Sequence, residues 1–295
     1  MGEVVGVDIG GNSIRAQSGD RSLVARRPVG RASTLEEVLA AIEAVLVEVA
    51  ADPSARMTIA VPTFVGPGGR LLEAPAVPAL TGVDLAAEVA VRLGRAHPQV
   101  VPDLAAAAWG ESQQGAGRGV DRLLCVAVGT GVNAAAVVDG EVLDTAFGCL
   151  GDAGHVNVEP DGPRCPCGGR GCLESVCSGW ALARAAGRIG LGDAAALAVA
   201  ARSGNRFAHE AYQRAGAALG RAVASWSALV WPSLVAVAGG VAAAGDLLLE
   251  PAARELERVG APYIVGRIQI VPAGLGAEAT LVGARLLAAR LPEGA

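Results

Sequence analysis

The sequence predicts an α/β protein built from two related halves. Residues 3–24 and 123–143 share one order of elements, in which an apolar strand, a Gly-rich turn and a second strand follow each other. The chain is 52% hydrophobic but only 3% aromatic, so its core must consist mainly of Ala, Val and Leu. A length of 295 residues is sufficient for two lobes of ordinary domain size.

The first half alternates strand and helix patterns. The segment EVVGVDI forms an apolar strand that ends near Asp8, and a Gly-rich turn leads from it into a second strand, IRAQSG. Apolar residues at helical spacing predict a helix over residues 34–51, and MTIAVPTFVG follows as a buried strand. DLAAEVAVRLG predicts a helix that ends at Gly94, QVVPD a strand that ends on Asp103, and AAAAWGESQQGAG a helix that ends at glycine.

The second half opens on the same plan. LLCVAVGTGVNAAAVVDGEVL predicts two strands around a Gly-rich turn and then a hairpin turn at Asp139-Gly140. SLVAVAGGVAAAGDLLLEPAARELERV adds a strand, a Gly-Gly turn and a helix, and GLGAEATLVGARLLAARL predicts a closing amphipathic helix. We therefore expect an N-terminal lobe over residues 1–115 and a C-terminal lobe over residues 116–295. The final helix, at about residues 280–295, is a candidate to pack back on the N-terminal lobe.

Charge and composition exclude several classes of function. A net charge of −5 argues against a general nucleic-acid surface. No apolar run approaches the length that spans a bilayer, and MGEVVGVDIGG lacks the basic start of a signal peptide. We expect a cytoplasmic protein that binds neither nucleic acid nor membrane. The chain contains no Lys, which excludes both a Walker-type phosphate loop and Schiff-base chemistry.

Four potential metal ligands occupy one short segment, GHVNVEPDGPRCPCGGRGCLES. They are His155, Cys165, Cys167 and Cys172. One imidazole and three thiolates make the closed tetrahedral set typical of structural zinc, and a metal would order a loop that has little core of its own. The alternatives are free cysteines or a disulfide, although C-x-C spacing is too tight for an easy mutual disulfide. Cys125 is predicted to be a core residue, and Cys149 and Cys177 receive no role.

Two Gly-rich turns after apolar strands are candidate phosphate-binding sites. Their residues are Asp8, Gly10, Gly11 and Asn12 in the first turn, and Gly129, Thr130 and Gly131 in the second. Glycine allows backbone N–H groups to approach phosphate oxygens, and the Asp8 carboxylate suits a Mg²⁺ ion held through water. Either turn alone is better explained by a hairpin that needs positive φ. The two turns together favour nucleotide binding.

The segment around the metal ligands resembles the zinc motif of the ROK family, which groups sugar kinases with related transcriptional repressors. The family pattern G-E-x-G-H-x(9)-C-x-C-G-x-x-G-C-x-E extends here from Gly151 to Glu174, with Asp152 in place of the usual Glu. The resemblance covers nearly the whole chain. It implies the duplicated two-lobe fold of actin, heat-shock chaperones and sugar kinases (ribonuclease H-like), with ATP in the cleft between lobes and its adenosine near Gly239 and Gly240.

The resemblance also implies the catalytic base. The family segment N-D-x-N-A-A-A-x-G-E corresponds to PDLAAAAWGE, which places Asp103 where the base accepts the proton of a sugar hydroxyl. The alternative is that Asp103 only caps a helix, for which DLAAAAW is also suited. Family Asn residues are replaced here by Ala76, Pro102 and Ala105, and the first turn has Asn12 in place of Thr.

Three further residues occupy positions of family sugar contacts: Asp152, His155 and Glu174. His155 would bind zinc through one ring nitrogen and present the other to a hydroxyl, whereas His97 and His209 are expected to be ordinary solvated or core residues. Because amides are lost while carboxylates remain, the site suits an ammonium group. The expected substrate is a glucose-like sugar phosphorylated on its 6-hydroxyl, with the 3-amino sugar kanosamine as the candidate and glucose as the alternative.

The sequence thus predicts an ATP-dependent hexose or amino-hexose kinase that uses Mg²⁺, contains structural Zn²⁺ and forms a homodimer. A ROK transcriptional repressor is one alternative, but only seven residues precede Asp8, too few for a DNA-binding helix-turn-helix domain. A sugar-binding protein without catalytic activity is the other, suggested by the lost amides.

Overall fold

The computed structural model describes residues 3–19, 23–145 and 147–292, which form two five-stranded mixed sheets with flanking helices. The strands are β1 (Val4–Ile9), β2 (Ser13–Ser18), β3 (Ala25–Pro28), β4 (Arg56–Val61), β5 (Gln99–Pro102), β6 (Arg122–Val128), β7 (Val132–Val138), β8 (Glu141–Leu143), β9 (Leu234–Ala238) and β10 (Gln269–Pro272). The helices are α1 (Leu35–Glu48), α2 (Leu85–Leu93), α3 (Asp103–Gln114), α4 (Glu174–Cys177), α5 (Gly179–Gly187), α6 (Ala194–Arg202), α7 (Arg206–Val230), α8 (Asp246–Val259), α9 (Pro262–Val265) and α10 (Ala279–Ala288).

The two sheets share one topology. The first has the strand order β3-β2-β1-β4-β5, and the second has the order β8-β7-β6-β9-β10 when read in the same direction. In each sheet an antiparallel hairpin comes first, β1 with β2 and β6 with β7. Two parallel strands then extend the sheet on the other side of the opening strand. This repetition confirms the predicted α/β fold of two related halves.

Contacts group the described residues into two units. The N-terminal unit contains residues within 1–115, 142–151 and 277–295, and the C-terminal unit contains residues 116–141 and 152–276. Within the N-terminal unit, α10 packs against β1, β4 and α3. The lobe boundary between residues 115 and 116 stays a prediction. Within the described residues, no helix combines the length and apolar character that crossing a membrane requires.

The long helix α7 packs on α8 through small residues in the C-terminal unit. Gly216 and Gly220 face the α8 backbone so closely that a Cβ on either would overlap the carbonyl oxygens of Leu248 and Ala252. Many of the buried positions of α7 are also Ala. Helices α5, α6 and α7 were not predicted, although the buried face of α7 carries Tyr212, Leu219, Val223, Trp226 and Val230 at helical spacing.

Candidate active site and metal centre

The four predicted metal ligands converge in the C-terminal unit. Their ligand atoms all lie within 4.8 Å of one another. Cys165 Sγ is 3.5 Å from His155 Nδ1, and Cys167 Sγ is 3.7 Å from Cys172 Sγ. Ligands at ordinary zinc bond lengths stand about 3.6–3.8 Å apart in a tetrahedron. These two distances therefore fit a tetrahedral zinc ion.

His155 is oriented from both sides. It ends a 3₁₀ turn (Ala153–His155) that is fixed to β7, because the Asn133 side-chain oxygen accepts from the backbone N–H of Ala153 at 3.0 Å. While Nδ1 of His155 faces the thiols, Nε2 lies 3.5 Å from Asp152 Oδ2. Asn133 was not predicted as a site residue, although it is the one polar side chain in the strand VNAAAVV.

Glu174 lies against the second Gly-rich turn. It begins α4, and its Oε2 accepts from the backbone N–H of Val132 at 3.0 Å. The backbone N–H of Gly179, at the start of α5, donates to the carbonyl oxygen of Gly129 at 2.7 Å. Thr130 is exposed at the tip of the turn. The structure therefore brings a predicted sugar contact together with the predicted phosphate turn.

The Gly-Gly turn after β9 lies beside the turn after β6. Gly239 has φ of 96°, and a Cβ at this position would overlap the carbonyl oxygen of Val128, so only glycine fits. Gly240 is exposed. Strands β6 and β9 are parallel neighbours, so both turns follow carboxyl ends at one edge of the sheet, where open α/β sheets bind ligands.

In the N-terminal unit, Asp8 is paired with an arginine that was not predicted as a site residue. The β1–β2 register sets Arg15 directly across from Asp8. Arg15 donates to Asp8 Oδ2 from Nε at 3.1 Å and from Nη2 at 2.7 Å, and its Nη1 donates to Glu278 at 2.9 Å. Burial raises the pKa of Asp8, and the Arg15 bonds oppose that effect. Since Arg15 binds Oδ2, Oδ1 is available to a hydrated cation.

The first Gly-rich turn is a tight hairpin. The backbone N–H of Gly10 donates to the Ser13 carbonyl oxygen at 2.9 Å, and Asn12 is exposed. A Cβ on Gly11 would lie 3.4 Å from the Cβ of Ala76, so Ala76 is beside this turn. Ala76 therefore presents only a methyl group beside the turn.

Asp103 is the first residue of α3, directly after β5. Its Oδ1 accepts from the backbone N–H of Leu104 at 2.7 Å, so it also satisfies one free N–H at the start of the helix. Desolvation raises the pKa of Asp103 to about 6; the Leu104 N–H opposes this shift, and the negative charge of Asp8 adds to it. Both carboxylates stand at the carboxyl ends of parallel strands in one sheet.

The remaining cysteines are buried, and the remaining histidines are exposed. Cys125 is fully buried in β6, which confirms it as a core residue. Burial, and then the charge of Asp103, raise the pKa of Cys149 to about 12, and burial raises that of Cys177 to about 12. Both thiols are therefore uncharged at neutral pH. His97 and His209 are exposed.

Comparisons with known proteins match nearly the whole length of the chain. The model of the ROK family matches residues 4–290. A glucokinase from Streptomyces coelicolor is 31% identical over 98% of each chain. A kanosamine kinase from Amycolatopsis mediterranei is also 31% identical, over 98% of this chain and 97% of that protein. The crystal structure of a ROK family glucokinase from Streptomyces griseus in complex with glucose and AMPPNP has a TM-score of 0.79 and 30% identity, and covers 98% of this chain and 100% of that chain.

Proposed function

The chain belongs to the ROK family, and on this premise we propose that it is an ATP-dependent kinase that phosphorylates the 6-hydroxyl of a glucose-like hexose. The observation that carries the proposal is Asp103, a carboxylate whose pKa is raised to about 6 at the strand edge that also holds Asp8. A general base is most effective when its pKa is near the working pH.

The N-terminal unit would supply the proton acceptor and a metal-binding carboxylate. Asp103 accepts the proton of the 6-hydroxyl and orients its oxygen for attack. Asp8 presents Oδ1 to a water of Mg²⁺, while Arg15 holds Oδ2. Bound Mg²⁺ supplies neutralisation of phosphate charge, on which phosphoryl transfer depends together with positioning.

The C-terminal unit would bind the nucleotide and the sugar. Backbone N–H groups of the turn at residues 129–131 cradle phosphate oxygens, and the turn at Gly239 and Gly240 lies against the adenosine. The Asp152 and Glu174 carboxylates accept from sugar hydroxyls, and His155 offers its Nε2 to them. We propose that Zn²⁺, held by the four ligands described above, is structural and fixes the aim of His155.

The raised pKa of Asp103 predicts the acid limb of the pH profile. Only the ionised carboxylate accepts a proton, so kcat/KM should fall about tenfold per pH unit below pH 6 and level off above it. Steady-state assays between pH 5 and 8 measure this. A profile that stays flat over the range would mean that Asp103 is not the base.

For the identity of the sugar, we propose kanosamine over glucose. Ala76, Pro102 and Ala105 have no side-chain amide, whereas the carboxylates of Asp152 and Glu174 are retained. An ammonium group donates charge-assisted hydrogen bonds to carboxylates, which are roughly twice as strong as neutral ones. We expect a higher kcat/KM for kanosamine. A preference for glucose of about tenfold, roughly 1.4 kcal/mol of discrimination, would refute the amino-sugar assignment and leave the kinase proposal standing, with water in the space beside Ala76.

The function is tested by ADP release from ATP in the presence of a panel of hexoses and amino sugars. We expect sugar-dependent ADP formation with at least one glucose-like sugar. If no sugar stimulates ADP release while one of them binds, the chain is a sugar-binding protein without catalysis, as the three lost amides would allow. Light scattering of the same preparation tests the expected homodimer.

A further inference from the structure

We propose that Glu174 holds the phosphate-binding turn at residues 129–131 in place, and so couples sugar binding to nucleotide binding within the C-terminal unit. This inference rests on the proposed kinase function and adds a positioning role to a residue expected only to contact the sugar. The bond from the Val132 N–H to Glu174 Oε2, 3.0 Å long, joins residues 42 positions apart.

The fit between Glu174 and the turn is close. A Cβ on Gly131 would lie 2.6 Å from Glu174 Oε2, so a side chain at this position would displace the carboxylate from the turn. Gly131 does not have positive φ, so its backbone conformation does not require glycine. Glycine at this position therefore leaves room for the carboxylate to approach the turn.

The Gly129 end of the turn is held by the first residue of α5. The N–H of Gly179 donates to the Gly129 carbonyl oxygen at 2.7 Å, and a Cβ on Gly179 would lie 2.9 Å from that oxygen. Inside the turn, the Gly129 N–H donates to the Gly131 carbonyl oxygen at 2.9 Å. The start of α4 and the start of α5 therefore fix both ends of the turn.

The position of Glu174 is itself fixed by the loop that carries the three cysteine ligands, residues 165–172, called here the metal loop. Leu173, between Cys172 and Glu174, is fully buried, and its N–H donates to the Val156 carbonyl oxygen at 3.0 Å. Because Oε2 accepts from the Val132 N–H, Oε1 is the oxygen that would accept from a sugar hydroxyl. A bound sugar then restrains the carboxylate, the carboxylate restrains the turn, and phosphate binds a turn that is already ordered. Such coupling must be reciprocal between the two ligands.

Three variants separate this role from simple sugar contact. Glu174→Ala removes the acceptor for the Val132 N–H, whereas Glu174→Gln keeps a carbonyl oxygen that can accept it. Glu159→Ala is the matched control, since the Glu159 carboxylate, also near the metal loop, binds Arg214 at 2.6 Å and Arg221 at 3.1 Å. Zinc content and Tm of each variant identify any that fails to fold.

The decisive readout is the Kd for AMPPNP without sugar, measured by calorimetry. We expect Glu174→Ala to raise this Kd about tenfold, the scale expected for losing a hydrogen bond to a charged group. The Kd for AMPPNP of Glu174→Gln and of Glu159→Ala should stay within about twofold of the wild-type value. Glucose or kanosamine should tighten AMPPNP binding to wild type by about fivefold or more, and this effect should vanish in Glu174→Ala. A Glu174→Ala variant that binds AMPPNP as wild type does would overturn the proposal.

A ligand-free measurement distinguishes failure of this inference from failure of the kinase assignment. If wild type binds no AMPPNP, the kinase proposal fails and the coupling with it. Amide hydrogen exchange of Val132 then tests the contact itself. Protection should fall in Glu174→Ala and persist in Glu159→Ala, and equal protection in both variants would overturn the anchoring role.

Discussion

The Asp103→Asn variant is expected to lose on the order of 10²- to 10⁴-fold in kcat, the usual contribution of a positioned general base. Asn has the size of Asp and keeps an oxygen that can accept from the Leu104 N–H, a bond of 2.7 Å in the structure. It has no carboxylate to accept the proton of the sugar hydroxyl. Folding and nucleotide binding should therefore be preserved, as Tm and the Kd for AMPPNP would show.

A matched control for this variant is Asp84→Asn. Asp84 also stands at the start of a helix in the N-terminal unit, where it caps α2 by accepting from the Ala87 N–H at 3.0 Å. The same substitution there should leave kcat unchanged and lower stability by no more than about 1 kcal/mol. If Asp103→Asn retained most of the wild-type kcat, or if both variants lost it equally, Asp103 would not be the base.

The Cys167→Ser variant is expected to lose both zinc and thermal stability. Cys167 is exposed, so the substitution removes a metal ligand without opening a cavity in the core. We expect metal binding and folding of this loop to be linked, because Gly and Pro give the loop little apolar core. Wild type should contain one zinc per chain, and the variant far less, with Tm lower by on the order of 5–10 °C. Metal analysis and thermal unfolding measure the two effects on one preparation.

The control for the zinc variant is Cys125→Ala. Cys125 is buried in β6, away from the metal ligands in sequence, and the substitution should leave the zinc content at one per chain even where stability falls. Two results together would refute the metal centre: wild-type protein without zinc, and a Cys167→Ser variant with unchanged Tm.

The duplicated fold was predictable because its signal is local and occurs twice. A strand, a Gly-rich turn and a second strand are visible in any short window, and both copies open a sheet of the same order. Helix α7 was not predicted, although large buried residues recur along it at helical spacing. Its close packing on α8 could not be predicted, because it depends on Gly216 and Gly220, and a missing side chain gives no signal until the partner backbone is known.

The candidate site also contains residues that the sequence could predict and residues that it could not. The metal ligands lie within one loop, so their spacing in the sequence was enough to predict that they meet. Arg15 meets Asp8 through the register of the β1–β2 hairpin. Asn133 accepts a hydrogen bond from Ala153, in the 3₁₀ turn that ends at His155. The bond between Glu174 and Val132 likewise joins α4 to the start of a distant strand. Contacts of this kind require the fold to be known.

The proposed reaction transfers the γ-phosphoryl group of ATP to the 6-hydroxyl oxygen of a hexose, with Asp103 as base. Its most direct test is phosphorus–proton correlation NMR of the product made from ATP with glucose or kanosamine, by wild type and Asp103→Asn in parallel. We predict a sugar 6-phosphate formed in step with ADP by wild type, and formed at least about 100-fold more slowly by the variant. Absence of any sugar phosphate with wild type, or phosphate on another hydroxyl, would contradict this reaction.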